Sequence, residues 1–97
     1  MTYIDKLAEE IGARCDMSMG LPEERRLLRL YAVIGMAKGV DVTCQDVHDA
    51  WAAWRLETRP DHPAVVLFSS LTPEARALDE PYRDAIRGAV LVTGHWR

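Results

Sequence analysis

Between Pro22 and Gly39 the chain reads PEERRLLRLYAVIGMAKG, and any fold must first find cover for this segment. Proline suits the first turn of a helix, where its missing N–H would go unpaired anyway, and Glu23 and Glu24 complement the positive end of the helix dipole. Gly39 supplies a stop. These signals predict a helix over about 22–38. Within it Leu27, Leu28, Leu30, Tyr31, Val33, Ile34 and Met36 occupy most of the circumference. A helix apolar on nearly every side is either central to a bundle or packed against a second copy. Both outcomes surround it with other helices.

The rest of the chain supplies them. Thr2 can cap a first helix, about 2–15, in which Ile4, Leu7, Ile11 and Cys15 form a stripe opposite Asp5, Lys6, Glu9 and Glu10. Met17 and Met19, in the following loop, either close over the core or stand exposed as adaptable contacts. Thr43 with Asp46 three residues on has the form of a capping box, and Val42 and Val47 that of a hydrophobic staple. The helix they open, about 43–57, turns Val47, Ala50, Trp51 and Trp54 inward. The prolines of TRPDHP end it. AVVLF, about 64–68, then reads as an extended and buried apolar segment with no second strand to pair with. Its backbone groups must be met by loops, a partner chain or a short bridge. Thr72-Pro73-Glu74 opens a short helix, about 72–78, and Asp79 restarts a last one, about 80–93, with Tyr82, Ile86 and Val90 inward and Gly94 at its end. His95, Trp96 and Arg97 form a frayed tail or a peptide that docks on a partner. The expected fold is all-α: one domain over 1–97, a compact bundle of four main helices plus one short helix, with one extended apolar segment.

Charge narrows the function. With 97 residues at net charge −3 and a pI near 5.5, the chain lacks the clustered cations that a duplex-binding surface needs. Arg25, Arg26 and Arg29 are a local exception, so a helical DNA-binding regulator ranks last among the readings. No apolar run approaches the roughly 18–20 residues of a membrane span, and MTYIDKLAEE does not have the form of a signal peptide. A cytoplasmic location follows, in the host cell if the gene is a phage's. Ten Arg against two Lys, with abundant Ala, Gly and Val, points to a GC-rich genome. Cys15 and Cys44 are too few for a disulfide scaffold and read as free thiols.

Chemical motifs are sparse. GxGxxG, GxxxxGK[ST], HExxH and CxxC are all absent. Cys44 and His48 stand one helical turn apart, but a structural zinc site would have to recruit both Cys15 and His62 as well. A Cys/His nucleophile pair would lack an orienting third group. The expectation is therefore no catalytic residue, no metal and no cofactor. Trp51 and Trp54, three apart on one face, are either core anchors or the walls of a ligand pocket completed by His48, Arg55 and His62.

The C-terminal half also resembles the ryanodine-receptor-type repeat domain. The residues that carry the likeness are VHDAW (His48, Trp51), then HPAVVLFSSL (His62, Pro63, Phe68, Leu71) and an Ala/Arg-rich turn ending at Asp79. Leu67 replaces that family's Pro, Ser69-Ser70 its acidic pair, and its Gly-Trp-x-Tyr-Gly segment is missing. The chain is also similar to small proteins of actinobacteria and their phages that share TYIDKL and VHDAWAAW. The resemblance implies an interaction module in which His62 braces the loop and AVVLF plugs the core. The leading expectation is a non-enzymatic binding protein directed at a protein partner, a host protein if phage-encoded. The alternative is a small-molecule, nucleotide-type binder using the Trp/His pocket. A homodimer, buried through Leu28, Met36, Val65 and Leu67, would cover both the apolar helix and the unpaired segment.

Overall fold

The apolar helix is central. In the computed structural model, which describes residues 2–94, α2 (Pro22–Lys38) is packed by α1 (Tyr3–Cys15), α3 (Cys44–Leu56) and α5 (Glu80–Thr93). A one-turn α4 (Pro73–Ala77) and two 3-10 turns, Gly39–Asp41 and Phe68–Ser70, complete the elements, with no strand among the described residues. The fold is thus the expected all-α bundle. Leu27, Leu28, Tyr31, Ala32 and Gly35 are all buried on α2, and Val33 is the member of its apolar set that faces out. The radius of gyration, 12.8 Å, is that of a single compact domain of this length. No helix among the described residues is long and apolar enough to cross a membrane.

This packing corrects the expected dimer face. Leu28 has no exposed surface at all, and Met36 lies against the same core. Leu28 is therefore not free to meet a second copy, because α1, α3 and α5 already cover the stripe that made α2 look uncovered, while Met36 is only partly buried. Met17 and Met19 also close over the core. Arg25, Arg26 and Arg29 are each occupied: Arg25 donates to the Met19 carbonyl, Arg26 pairs with Glu57, and Arg29 with Asp5 at 2.7 Å. Each cation of the basic cluster thus has an acceptor within the chain, although Arg26 and Arg29 remain about half exposed. The tail expected of His95, Trp96 and Arg97 lies outside the described residues.

Short polar side chains fix where the helices begin. The Thr2 Oγ1 accepts from the Asp5 N–H at 3.1 Å, and Thr72 Oγ1 from the Ala75 N–H at 3.1 Å. At α3 the capping box is complete: the Asp46 N–H donates to Thr43 Oγ1 at 3.2 Å and the Thr43 N–H to Asp46 Oδ2 at 2.9 Å. Lys38, at the end of α2, adds a 2.9 Å ion pair to that same carboxylate, so the cap also ties two helices together. Beneath it the staple residues Val42 and Val47 are fully buried.

The segment from 57 to 72 departs from expectation. AVVLF is neither extended nor a plug: it runs through turns, Val65 is only half-buried, and Val66 and Leu67 are exposed at 43% and 75%. Without a neighbouring strand, local turns and side chains must meet its backbone groups. The Val65 N–H donates to the His62 carbonyl at 3.0 Å, and Arg76 donates to the carbonyls of Phe68 and Ser69 at 3.2 and 2.7 Å. Two exposed β-turn-like apolar side chains are the consequence, since a chain that turns this tightly cannot point all five residues the same way.

α1 ends by folding back on itself. Asp16 adopts a left-handed conformation (φ 59°), and the Met17 N–H reaches the Gly12 carbonyl at 2.9 Å. A Cβ on Gly12 would lie 2.6 Å from the Met17 carbonyl oxygen and 3.0 Å from Leu28 Cδ1. Helix propensity alone favours Ala over Gly by about 1 kcal/mol. Here the clash is with backbone and should win. Gly12→Ala is expected to lower unfolding stability by about 1–3 kcal/mol, read as a fall in the urea midpoint; an unchanged or higher midpoint would show that the α1 turn relaxes freely.

Candidate functional site

α3 is the organising element. Its inward face buries Val47, His48, Ala50 and Trp54, while Trp51 and Arg55 sit half-buried at the edge of that face. His48, Trp51, Trp54 and Arg55, at i, i+3, i+6 and i+7, fall on one side of the helix. They open onto a cavity of about 440 Å³, bounded by α2, α3, α5 and the 57–72 loop. That volume falls within the range of roughly 300–1,000 Å³ typical of small-molecule sites.

The structure brings all five expected ligand-binding residues, His48, Trp51, Trp54, Arg55 and His62, to the wall of this one cavity. The two tryptophans divide the roles between which the sequence could not choose. Trp54 is buried and donates its indole N–H to the Glu23 carbonyl at 3.0 Å, so it anchors α3 to the start of α2. Trp51 is half-buried and sits between two imidazoles. His48 stacks near-parallel on it, with ring centroids 5.7 Å apart, and His62 meets it edge-on at 5.2 Å.

Both imidazoles have their tautomer dictated by the backbone. The Val66 carbonyl lies 2.7 Å from His48 Nε2; a carbonyl can only accept, so that nitrogen carries the proton. The Ala64 N–H donates to His62 Nδ1 at 3.1 Å, which leaves the His62 proton on Nε2. His62 thus braces its own turn, and His48 holds the loop to α3.

Two charged groups also line the cavity. The Arg55 guanidinium carbon stands 4.3 Å from the centre of the Trp54 ring and 5.9 Å from that of Trp51, a cation–π arrangement. Its Nε is buried without a hydrogen-bond partner among the described residues. Asp79 is the second. It occupies the N-cap position of α5, yet its carboxylate makes no capping bond and lines the cavity instead. Burial pushes this carboxyl above the ordinary carboxylate range, and the nearby His48 offsets part of that rise.

Of the residues named for a dimer face, Val65 and Leu67 lie on the loop outside the cavity wall, and Leu28 and Met36 belong to the core. Sequence reasoning missed Asp79, Tyr31 and Tyr82 as cavity residues. Asp79 and Tyr82 are three apart at the start of α5 and so share a face, which was the available signal; Tyr31 and Tyr82 then meet across the α2–α5 contact, ring centroids 6.0 Å apart. Cys44 lies elsewhere, 3.6 Å from Arg83 Nη1, with burial pushing its thiol up. Among the described residues no three His, Cys, Asp or Glu side chains converge as a metal site would require.

A family model described as "Domain of unknown function (DUF7701)" matches residues 2–91, a span that contains every side chain of the cavity. No curated protein and no solved structure matches the chain.

Asp79 provides a direct test of the site's electrostatics. Its folded-state pKa is raised, so the ionised form costs stability at neutral pH, and that cost disappears once the pH falls below the unfolded-state value. Asp79→Asn, which keeps the shape and loses no capping bond, should therefore raise the melting temperature at pH 7. The gain should shrink to nothing in the acid range. Thermal melts of both proteins across pH would show it, and a lower melting temperature for the variant at pH 7 would mean that the carboxylate has a structural partner.

Proposed function

The chain belongs to the DUF7701 family, and we propose that this member is a non-enzymatic binding module whose working part is the cavity between α3, α5 and the 57–72 loop. The observation that carries the reading is an aromatic cavity of ligand size lined by the Arg55 guanidinium, which makes no ion pair and no hydrogen bond among the described residues. Leaving a buried donor without an acceptor costs about 1–3 kcal/mol, more when it is charged. A core with no purpose beyond packing would place an apolar residue there. A bound molecule that supplies an acceptor removes the cost.

Binding is favoured over catalysis by the composition of the walls. They hold no Ser, Thr, Cys or Lys among the described residues, so the hydroxyl, thiol and amine nucleophiles most used in covalent catalysis are missing from the place where a substrate would sit. Both imidazoles already spend one nitrogen on the backbone. The likeness of residues 48–79 to the ryanodine-receptor-type repeat, an interaction module, points the same way.

A second reading, docking of a protein partner, is favoured by Val66 and Leu67, adjacent apolar residues exposed on the loop that closes the cavity. A host protein would be such a partner if the gene is a phage's. Leu67→Ser leaves the cavity untouched and would impair only this second mode.

A fragment screen by ligand-observed NMR, repeated on Trp51→Ala and Trp54→Ala, tests the proposal. Trp54→Ala should cost about 3–5 kcal/mol of stability, as a buried anchor does. Trp51→Ala should cost clearly less and yet abolish binding of the hits. Fragments that bind Trp51→Ala as they bind the unaltered protein, or a complete absence of hits, would overturn the cavity reading.

A further inference from the structure

The cavity walls carry one cation and one anion that do not pair with each other. The five ion pairs among the described residues are Arg14–Glu10, Arg26–Glu57, Arg29–Asp5, Lys38–Asp46 and Arg83–Asp84. Every other charged side chain that lines the cavity stays outside them, and these are Arg55 and Asp79. They enter from different elements: Arg55 from the last turn of α3, against Trp54, and Asp79 from the start of α5, on the side of His48. The same cavity is lined by the aromatic surfaces of Trp51, Tyr31 and Tyr82.

Each end has a definite complement. A guanidinium held against an indole by its carbon end, with its Nη groups in no ion pair, offers those N–H donors to a carboxylate or phosphate. The carboxylate of Asp79 is acceptor-only when ionised and asks for an N–H donor. The aromatic faces accept a planar ring by stacking. A neutral ring would leave both charged groups desolvated and unmet, and a simple aromatic anion would meet only one.

On the premise that the cavity is the binding site proposed above, we infer that its ligand is a small amphoteric aromatic molecule, a flat ring bearing an acid group for Arg55 and an N–H donor for Asp79. Amino-substituted nucleoside monophosphates and aromatic amino acids both have this chemistry. At about 440 Å³ the cavity takes one ring system with one acid group, and a dinucleotide exceeds it.

The test is a set of matched titrations by isothermal calorimetry on the full chain. One series compares adenosine monophosphate with adenosine, which lacks the acid, and with purine riboside monophosphate, which lacks the exocyclic amine and has no ring N–H in its place. The other compares phenylalanine with phenethylamine and with hydrocinnamate, which lack the carboxylate and the ammonium. In the series that holds the true ligand class, removing either group should weaken binding about 10- to 100-fold, the value of one hydrogen bond to a charged group. Arg55→Gln should erase the discrimination against the acid-free compound, and Asp79→Asn that against the amine-free one. Because each readout is a ratio within one variant, partial loss of stability leaves it intact. Arg55→Lys, which keeps the charge without the planar fork, should recover only part of the first discrimination. Rings that bind equally well with and without their charged groups would overturn the inference and leave the cavity a binding site. If no ring compound binds in either series and the fragment hits of the preceding test ignore Trp51, the cavity reading falls and this inference with it.

Discussion

A carbonyl with no strand beside it needs a donor from somewhere, and the 2.7 Å bond from His48 Nε2 to the Val66 oxygen is how this chain provides one. Much of the site depends on it. It places a polar ring on the buried face of α3, where only a satisfied donor is tolerated. It pulls the 57–72 loop across the tryptophans, so that a cavity exists instead of an open groove. It also fixes which imidazole nitrogen is protonated, and so which lone pair remains. Arg76 and His62 serve the same loop from its other parts, through Phe68, Ser69 and Ala64.

The bundle beneath is more conventional and supplies rigidity. α2 has its apolar stripe covered by α1, α3 and α5, and its first-turn Glu23 carbonyl takes the indole proton of Trp54. The same tryptophan carries the Arg55 guanidinium on its other surface. A single side chain therefore links the core to the cavity, and the orientation of the cation is set by packing that unfolding alone would undo. Where the cavity's charged groups are concerned the protein gives up stability: an orphaned Nε and a carboxyl raised by burial are both costs that a bundle of this size would otherwise avoid.

What could be read in the sequence followed from local rules. Caps, proline positions and helical periodicity are properties of a few neighbouring residues, and Thr2, Pro22, Thr43 and Thr72 start helices where their chemistry says they should. The tryptophan and histidine set was also visible, because four of its five members share one helix face. The loop was not. AVVLF has the composition of a buried strand, but composition cannot say whether a second strand exists to pair with it; the answer lay in His48 and Arg76, which are 18 and 8 residues from their acceptors. Leu28 was misplaced for a related reason. Which side of a fully apolar helix meets its own chain depends on how three other helices are arranged, and periodicity within α2 carries no trace of that. Asp79 was read as the point where the last helix restarts, and only the tertiary structure places it on the cavity wall.

The bonds that hold the loop share one property: each reaches a main-chain atom. His48 takes the Val66 carbonyl, Arg76 those of Phe68 and Ser69, and His62 the Ala64 N–H. Main-chain atoms are the same whatever residue bears them. The bonds themselves therefore do not depend on the side chains they pass, although Ala64 lines the cavity and Phe68 packs against His48 and Arg76. Val66 and Leu67, which face outward, are freest of all. The scaffold separates what must be kept from what can be rewritten, so relatives could acquire a new outer surface by drift at Val66 and Leu67 while the helices and their anchors stand still.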